Sequence, residues 1–201
     1  MKKVIFILLL IQLLFAFSAK SQLSLRLGGN YVNVFNNDRI PNQEAIVTTT
    51  FGFLSSFNLK DSSIHYIKIG MLIVSSGYDQ TFNEKTYEQR YGYFAFPFYY
   101  NLRPISNFSV DIGVQLRFLV LPLFDESKAT DSFNVPDLAL VAGFNFLEEK
   151  RLSLFSNVSY GMLPMLTYQD IDAAGNFGDT FSDMHNFLIT AGLTLRLYDY
   201  K

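Results

Sequence analysis

The sequence predicts an all-β protein: an eight-stranded antiparallel up-and-down transmembrane β-barrel over residues 22–201, behind a cleavable signal peptide over residues 1–21. Three observations predict it. Apolar residues recur at every second position in eight segments, only 17% of residues are charged, and a basic-then-apolar leader opens the chain. Period 2 argues against helices, because residues two apart lie on opposite sides of a helix. The charge content is well under the roughly 25% usual for soluble domains. A hydrophobic content of 49% excludes disorder.

The leader comes first. Met1-Lys2-Lys3 is a short basic stretch, and Val4 to Phe17 is apolar apart from Gln12. Ser18-Ala19-Lys20-Ser21 follows, with small Ala19 and Ser21 at the −3 and −1 positions for cleavage before Gln22. The apolar run of 14 residues is short for a retained helical anchor, which needs about 20. Removal of the leader deletes Lys2, Lys3 and Lys20, leaving 13 basic and 18 acidic residues, net −5. That balance argues against a nucleic-acid partner, which needs a basic stripe. Absence of cysteine excludes disulfides, thiolate catalysis, Cys-ligated zinc and a lipidated N-terminal cysteine. At 201 residues, there is room for one domain or one barrel.

The eight segments fall at about 23–34, 46–59, 64–77, 90–101, 108–120, 137–146, 152–166 and 185–199. The fifth is the clearest: Phe108, Val110, Ile112, Val114, Leu116 and Phe118 alternate with Ser109, Asp111, Gly113, Gln115 and Arg117. It predicts Val114 outward and Gln115 inward. The eighth alternates similarly from Phe187 to Leu197. Turn chemistry at Lys60-Asp61-Ser62-Ser63, Arg103-Pro104-Ile105-Ser106-Asn107 and Leu147-Glu148-Glu149-Lys150-Arg151 makes three short connections. Longer polar stretches near 35–45, 78–89, 121–136 and 167–184 make four long ones. Alternation of long and short connections matches an outer-membrane barrel, with short periplasmic turns and long external loops. Pro97, in the middle of the fourth segment, removes one ladder donor and predicts a bulge or local break. Both parities of that segment are aromatic-rich, so its facing stays open.

A soluble barrel would hide its apolar set and coat its exterior with charge. Here the less apolar faces carry few charges, chiefly Arg26, Lys68, Asp111, Arg117 and Arg196, among Ser, Asn, Thr and Gly. Gly28, Gly52, Gly70, Gly113, Gly143, Gly161 and Gly192 share that parity. Small residues suit the crowded inside of a narrow barrel. The charges read as a lumen filling, and Asp111 is expected to pair with at least one of the bases. Tyr31, Phe51, Tyr78, Phe118, Phe124, Tyr160 and Tyr168 are expected as a girdle on the loop side. Phe108, Phe146, Leu197 and Tyr198 are its turn-side counterpart.

Ile67 to Gly77, Tyr91 to Leu102 with its Phe-Pro pair, and Phe108 to Arg117 with Gly113 resemble the outer-membrane β-barrel domain common in Bacteroidetes. That family is described as porin-family or PorT-like and is akin to the OmpA/OmpX-type eight-stranded barrels. The resemblance spans essentially all of residues 22–201 through loose patterns of Gly, Pro and alternating aromatics. It implies fold and a Gram-negative outer-membrane location. Activity does not follow, because members share the barrel and differ in role. Many outer-membrane proteins end on an aromatic residue, whereas this chain ends Leu197-Tyr198-Asp199-Tyr200-Lys201. It stops after the eighth segment, which predicts that the peptidoglycan-binding domain of longer relatives is missing.

Candidate chemistry is sparse. His65 falls at the turn-side start of the third segment, on the outward parity. His185 opens the last segment, and Ser182-Asp183-Met184-His185 holds the residue types of a lipid-modifying site. Adjacent residues rarely converge, however, and the His-x-Ser pattern of barrel deacylases is missing because Asn186 and Phe187 follow His185. Asp170, Asp172, Asp179 and Asp183 make the fourth long stretch acidic. Its start, Asp170-Ile171-Asp172, resembles a calcium loop, but Ala174 offers no ligand and Phe181 replaces the bidentate Glu. A solvated loop is the better reading. The sequence therefore assigns no catalytic residue, cofactor or metal. It points to a non-enzymatic structural, adhesion or envelope-assembly role through external loops, with a small pore and a lipid-modifying enzyme as alternatives. The expected partners are outer-membrane lipids and lipopolysaccharide, the outer-membrane assembly machinery, and proteins met by the loops.

Overall fold

The computed structural model describes residues 21–35, 43–59, 64–82, 84–122, 136–165, 168–171, 177–181 and 184–199. The predicted leader over residues 1–21 and its cleavage site lie outside these except for Ser21, which begins the first strand. In chain order the strands are β1 Ser21–Phe35, β2 Gln43–Glu44, β3 Ile46–Asn58, β4 His65–Phe82, β5 Lys85–Ile105 and β6 Phe108–Pro122. There follow β7 Asp137–Phe146, β8 Leu152–Gly161, β9 Tyr168–Ile171, β10 Phe177–Phe181 and β11 His185–Asp199.

Eight of these close into one antiparallel ring. Neighbours in sequence pair with each other from β1 through β3, β4, β5, β6, β7 and β8 to β11, and β11 pairs back onto β1. The seam runs from Gln22↔Asp199 to Phe35↔His185, with one register shift at Leu23/Ser24. Closure matters physically because every strand edge then has a partner, which leaves no backbone row unsatisfied. Short β2 pairs with β4, and β9 with β10 forms a separate hairpin.

The predicted alternation is present on the ring. Val114 lies on the outward parity and Gln115 is buried inside. The seven predicted glycines share the inward parity, but crowding by side chains is only part of the reason. A Cβ on Gly192 would collide with the Leu27 carbonyl oxygen and the Gly28 backbone across the seam. One on Gly113 would strike the Phe98 carbonyl oxygen. The tight curvature brings neighbouring backbones within reach of any inward Cβ at these positions.

Two expectations are corrected. Residues 78–89 are not a long loop: β4 and β5 continue as a projecting hairpin to Phe82↔Lys85, turning through Glu84 at φ +64°. Asp79, Thr86 and Glu88 make one of its faces polar, and Lys85 and Gln89 interrupt the other, so the period-2 signal fades although the ladder persists. The seventh segment stops at Gly161 rather than 166. Beyond it the chain leaves the ladder, Pro164 has no N–H to donate, and Met165 donates to the Met184 carbonyl. At Pro97 the expected local break is present, without a bulge. Pairing with β4 lapses between Ile69↔Phe98 and Leu72↔Ala95 while the register is kept, and Pro97↔Gln115 holds on the β6 side. The open facing of this strand is settled: Tyr91, Tyr93, Ala95, Pro97, Tyr99, Asn101 and Arg103 point in, and Phe94, Phe96, Phe98 and Tyr100 lie on the outward parity.

Candidate functional site

The outside of the ring is apolar and the inside is filled. Outward side chains such as Val47 (81% exposed), Ile112 (59%), Phe98 (53%) and Leu27 (51%) have no protein to pack against. Tyr31, Phe51, Phe118 and Tyr160 are exposed on this surface, and so are Phe146, Leu197 and Tyr198. Tyr78 is an exception to the predicted girdle. It lies on the inward parity, only 7% exposed, with its ring 6.4 Å from that of Tyr91. Phe124 and the side chain of Tyr168 lie outside the described residues.

The lumen has two parts. Its loop half is an apolar tier of Val32, Val34, Ile46, Val74, Tyr93 and Leu188, topped by Met165 and Met184. Its turn half is a charged network centred on Asp111 of β6. Asp111 accepts from Lys68 Nζ at 3.0 Å, Asn101 Nδ2 at 2.6 Å and Asn145 Nδ2 at 2.9 Å. Arg26 Nη2 lies 3.6 Å from its other oxygen. Four strands thus meet on one carboxylate, as buried charge requires. Between the halves Arg117 donates to Gln115 Oε1 at 2.9 Å and Ser159 Oγ at 2.7 Å, and pairs with Asp137 at 3.5 Å. Gln115 Nε2 in turn donates to Tyr99 Oη.

Of the five predicted inward charges, Arg26, Lys68, Asp111 and Arg117 are buried together in the lumen, and Asp111 has its expected basic partners. Arg196 sits at the turn-side mouth and donates to the Glu148 carbonyl. Sequence reasoning missed Glu148. It belongs to the β7–β8 turn, which bends inward through Leu147 at φ +59°. Its carboxylate pairs with Lys68 Nζ and with Arg103 Nε at 3.5 Å. Burial alone would raise the Glu148 carboxyl, but Lys68 and then Arg103 outweigh it and hold it below its ordinary range. Arg103 was missed as well, because Pro104 reads as a turn although β5 runs on to Ile105 and Arg103 keeps the inward parity.

His65 remains outside, its ring stacked on that of Tyr100 with Nδ1 2.5 Å from the phenol oxygen. His185 stacks on Tyr160, and its Nδ1 lies 2.9 Å from the Gly161 carbonyl oxygen. Ser182 and Asp183, and the side chains of Asp170 and Asp179 with all of Asp172, lie outside the described residues. Among the described residues no cluster of His, Asp and Glu is arranged to hold a metal ion.

The arrangement defines a class: a closed eight-stranded antiparallel barrel, apolar outside and polar-to-apolar inside. No family model matches the chain, and no curated protein matches it. Among solved structures it is similar to the crystal structure of the outer membrane protein OprG from Pseudomonas aeruginosa. The two share 12% identity at a TM-score of 0.49, over 90% of this chain and 97% of that one.

Proposed function

We propose that the protein is an integral outer-membrane β-barrel that works without catalysis, as a stable frame presenting its external loops to partner proteins in adhesion, envelope integrity or assembly. The observation that carries this reading is the inversion of the barrel. A belt of unpartnered apolar side chains encircles it while arginine, lysine and aspartate are buried at its centre. Water on both sides would make that distribution expensive, whereas lipid outside makes it favourable. The partners that fit the belt are outer-membrane lipids, with lipopolysaccharide on the external side. The apolar tier across the loop half supports a closed frame over the small-pore alternative, since a dry constriction stops water and ions. The lipid-modifying alternative has less support, because His185 is spent on Tyr160 and the Gly161 carbonyl.

Fractionation of cells with gel mobility tests the location. Heat-modifiable migration in the outer-membrane fraction is the expected result, and recovery as a soluble periplasmic protein would overturn it. Single-channel recording on the purified protein should show no stable openings. Porin-sized steps would replace the frame with the pore, and a changed lipid A acyl pattern in cells carrying the protein would replace it with the enzyme.

A further inference from the structure

We propose that the turn-side chamber of the lumen is a binding site for a small inorganic anion of the phosphate type. The chamber lies inside the turn-side ends of β1, β3, β4, β8 and β11, beneath the β7–β8 turn, and holds about 30 Å³ of free space. Arg26, Lys68, Lys150 and Arg196 line it, opposed by the single carboxylate of Glu148. Asp111, which lies behind Lys68 and Arg26, is the only other acid paired to these groups among the described residues. Cations therefore exceed anions in and around the chamber. Hydroxyls of Ser24, Ser56, Ser153 and Thr194 complete the wall.

A second observation, independent of the charge count, points to an occupant. Arg26 is 2% exposed, and its Nη2 serves Asn145 and Asp111, but its Nε and Nη1 meet no protein acceptor. The Thr194 hydroxyl on the same wall is also unpartnered. Leaving buried guanidinium N–H groups unspent is costly. Water supplies acceptors there but no charge, and an anion supplies both. Arg26 also lines a smaller void of about 10 Å³ next to Arg117 and Gln115, and its guanidinium stacks 4.0 Å from the Phe155 ring centre. It thus forms the inner end of the chamber. Beyond it lies the apolar tier, so an anion entering from the turn side meets a dead end rather than a passage. This site goes beyond the membrane reading, since its wall is the same in a bilayer or in detergent.

The test uses the folded full-length chain in detergent and inorganic phosphate as the probe. Ionic strength is held constant with gluconate, which is too large for the chamber. The unfolding temperature should rise saturably with phosphate. Arg26→Gln should abolish the rise. Because that variant also disturbs Asp111, Lys150→Gln at the exposed mouth is the decisive one, and should weaken the apparent affinity about 2- to 5-fold. Lys85→Gln, at the far tip of the β4–β5 hairpin, should leave the affinity unchanged. No saturable rise, an equal rise with gluconate, or a loss that follows Lys85 and not Lys150 would each overturn the proposal.

Discussion

The two halves of the lumen are built by the same eight strands on the same inward parity, yet they are held by different forces. In the loop half Val32, Val34, Val74 and Leu188 fill space, and each is replaceable by another apolar residue of similar volume. In the turn half Asp111, Lys68, Arg26 and Glu148 form one circuit, and removing any of them takes a counter-charge from a buried neighbour. The difference teaches where specificity lies. Packing seals the barrel, whereas the charge circuit fixes which strand ends face each other, because β1, β4, β5 and β7 each contribute a partner to Asp111 of β6.

The largest effect should come from breaking the circuit at its centre. Asp111→Ala leaves Lys68 and Arg26 buried without their counter-charge, and should cost about 3–5 kcal/mol in urea unfolding from detergent. Replacing all three groups together by Leu and Met should recover most of that loss, a result that packing alone could not give. In the apolar tier, Leu188→Ala should cost about 2–5 kcal/mol through the cavity it leaves, and no second replacement in the turn half should rescue it. Gln115 lies where the halves meet, donating to Tyr99 and accepting from Arg117. Gln115→Trp should overpack that junction by about 1–3 kcal/mol, and unchanged unfolding would show the lumen there to be roomier than its contacts imply.

The smallest effect should be a pH signature confined to the turn half. Because Glu148 is held below its ordinary value of 4.5 by Lys68 and Arg103, its contribution is present above that value. It is lost as pH falls through the lowered one. Glu148→Gln should therefore cost about 1–2 kcal/mol at neutral pH and flatten the acid side of the stability profile below pH 4.5. The same scan on Leu188→Ala should keep the parental slope.

What the sequence revealed follows the same division. Alternation is legible where the two faces differ in chemistry, so β7 and β11 were read to the residue and Val114 and Gln115 were placed on the correct sides. It fades where they agree. Around Tyr78 the flanking Ser75, Ser76, Gly77 and Asp79 give neither face an apolar bias, so its ring reads as exterior, and from Asp79 to Glu88 polar residues dominate, so a ladder reads as a loop. The charge circuit was half legible. Inward parity marked Arg26, Lys68, Asp111 and Arg117, but Glu148 reaches the lumen from a turn, where no period applies and only the positive φ of Leu147 redirects the chain.

The β1–β11 seam has a consequence for how the molecule is made. Gln22 pairs with Asp199, so this ladder joins the first and last strands of the ring. Until it zips, β1 and β11 each present a bare edge. A chain truncated before β11 would have no satisfied intermediate to rest in. Folding should then be slow and all-or-none, with backbone amides throughout the ring exchanging together rather than strand by strand.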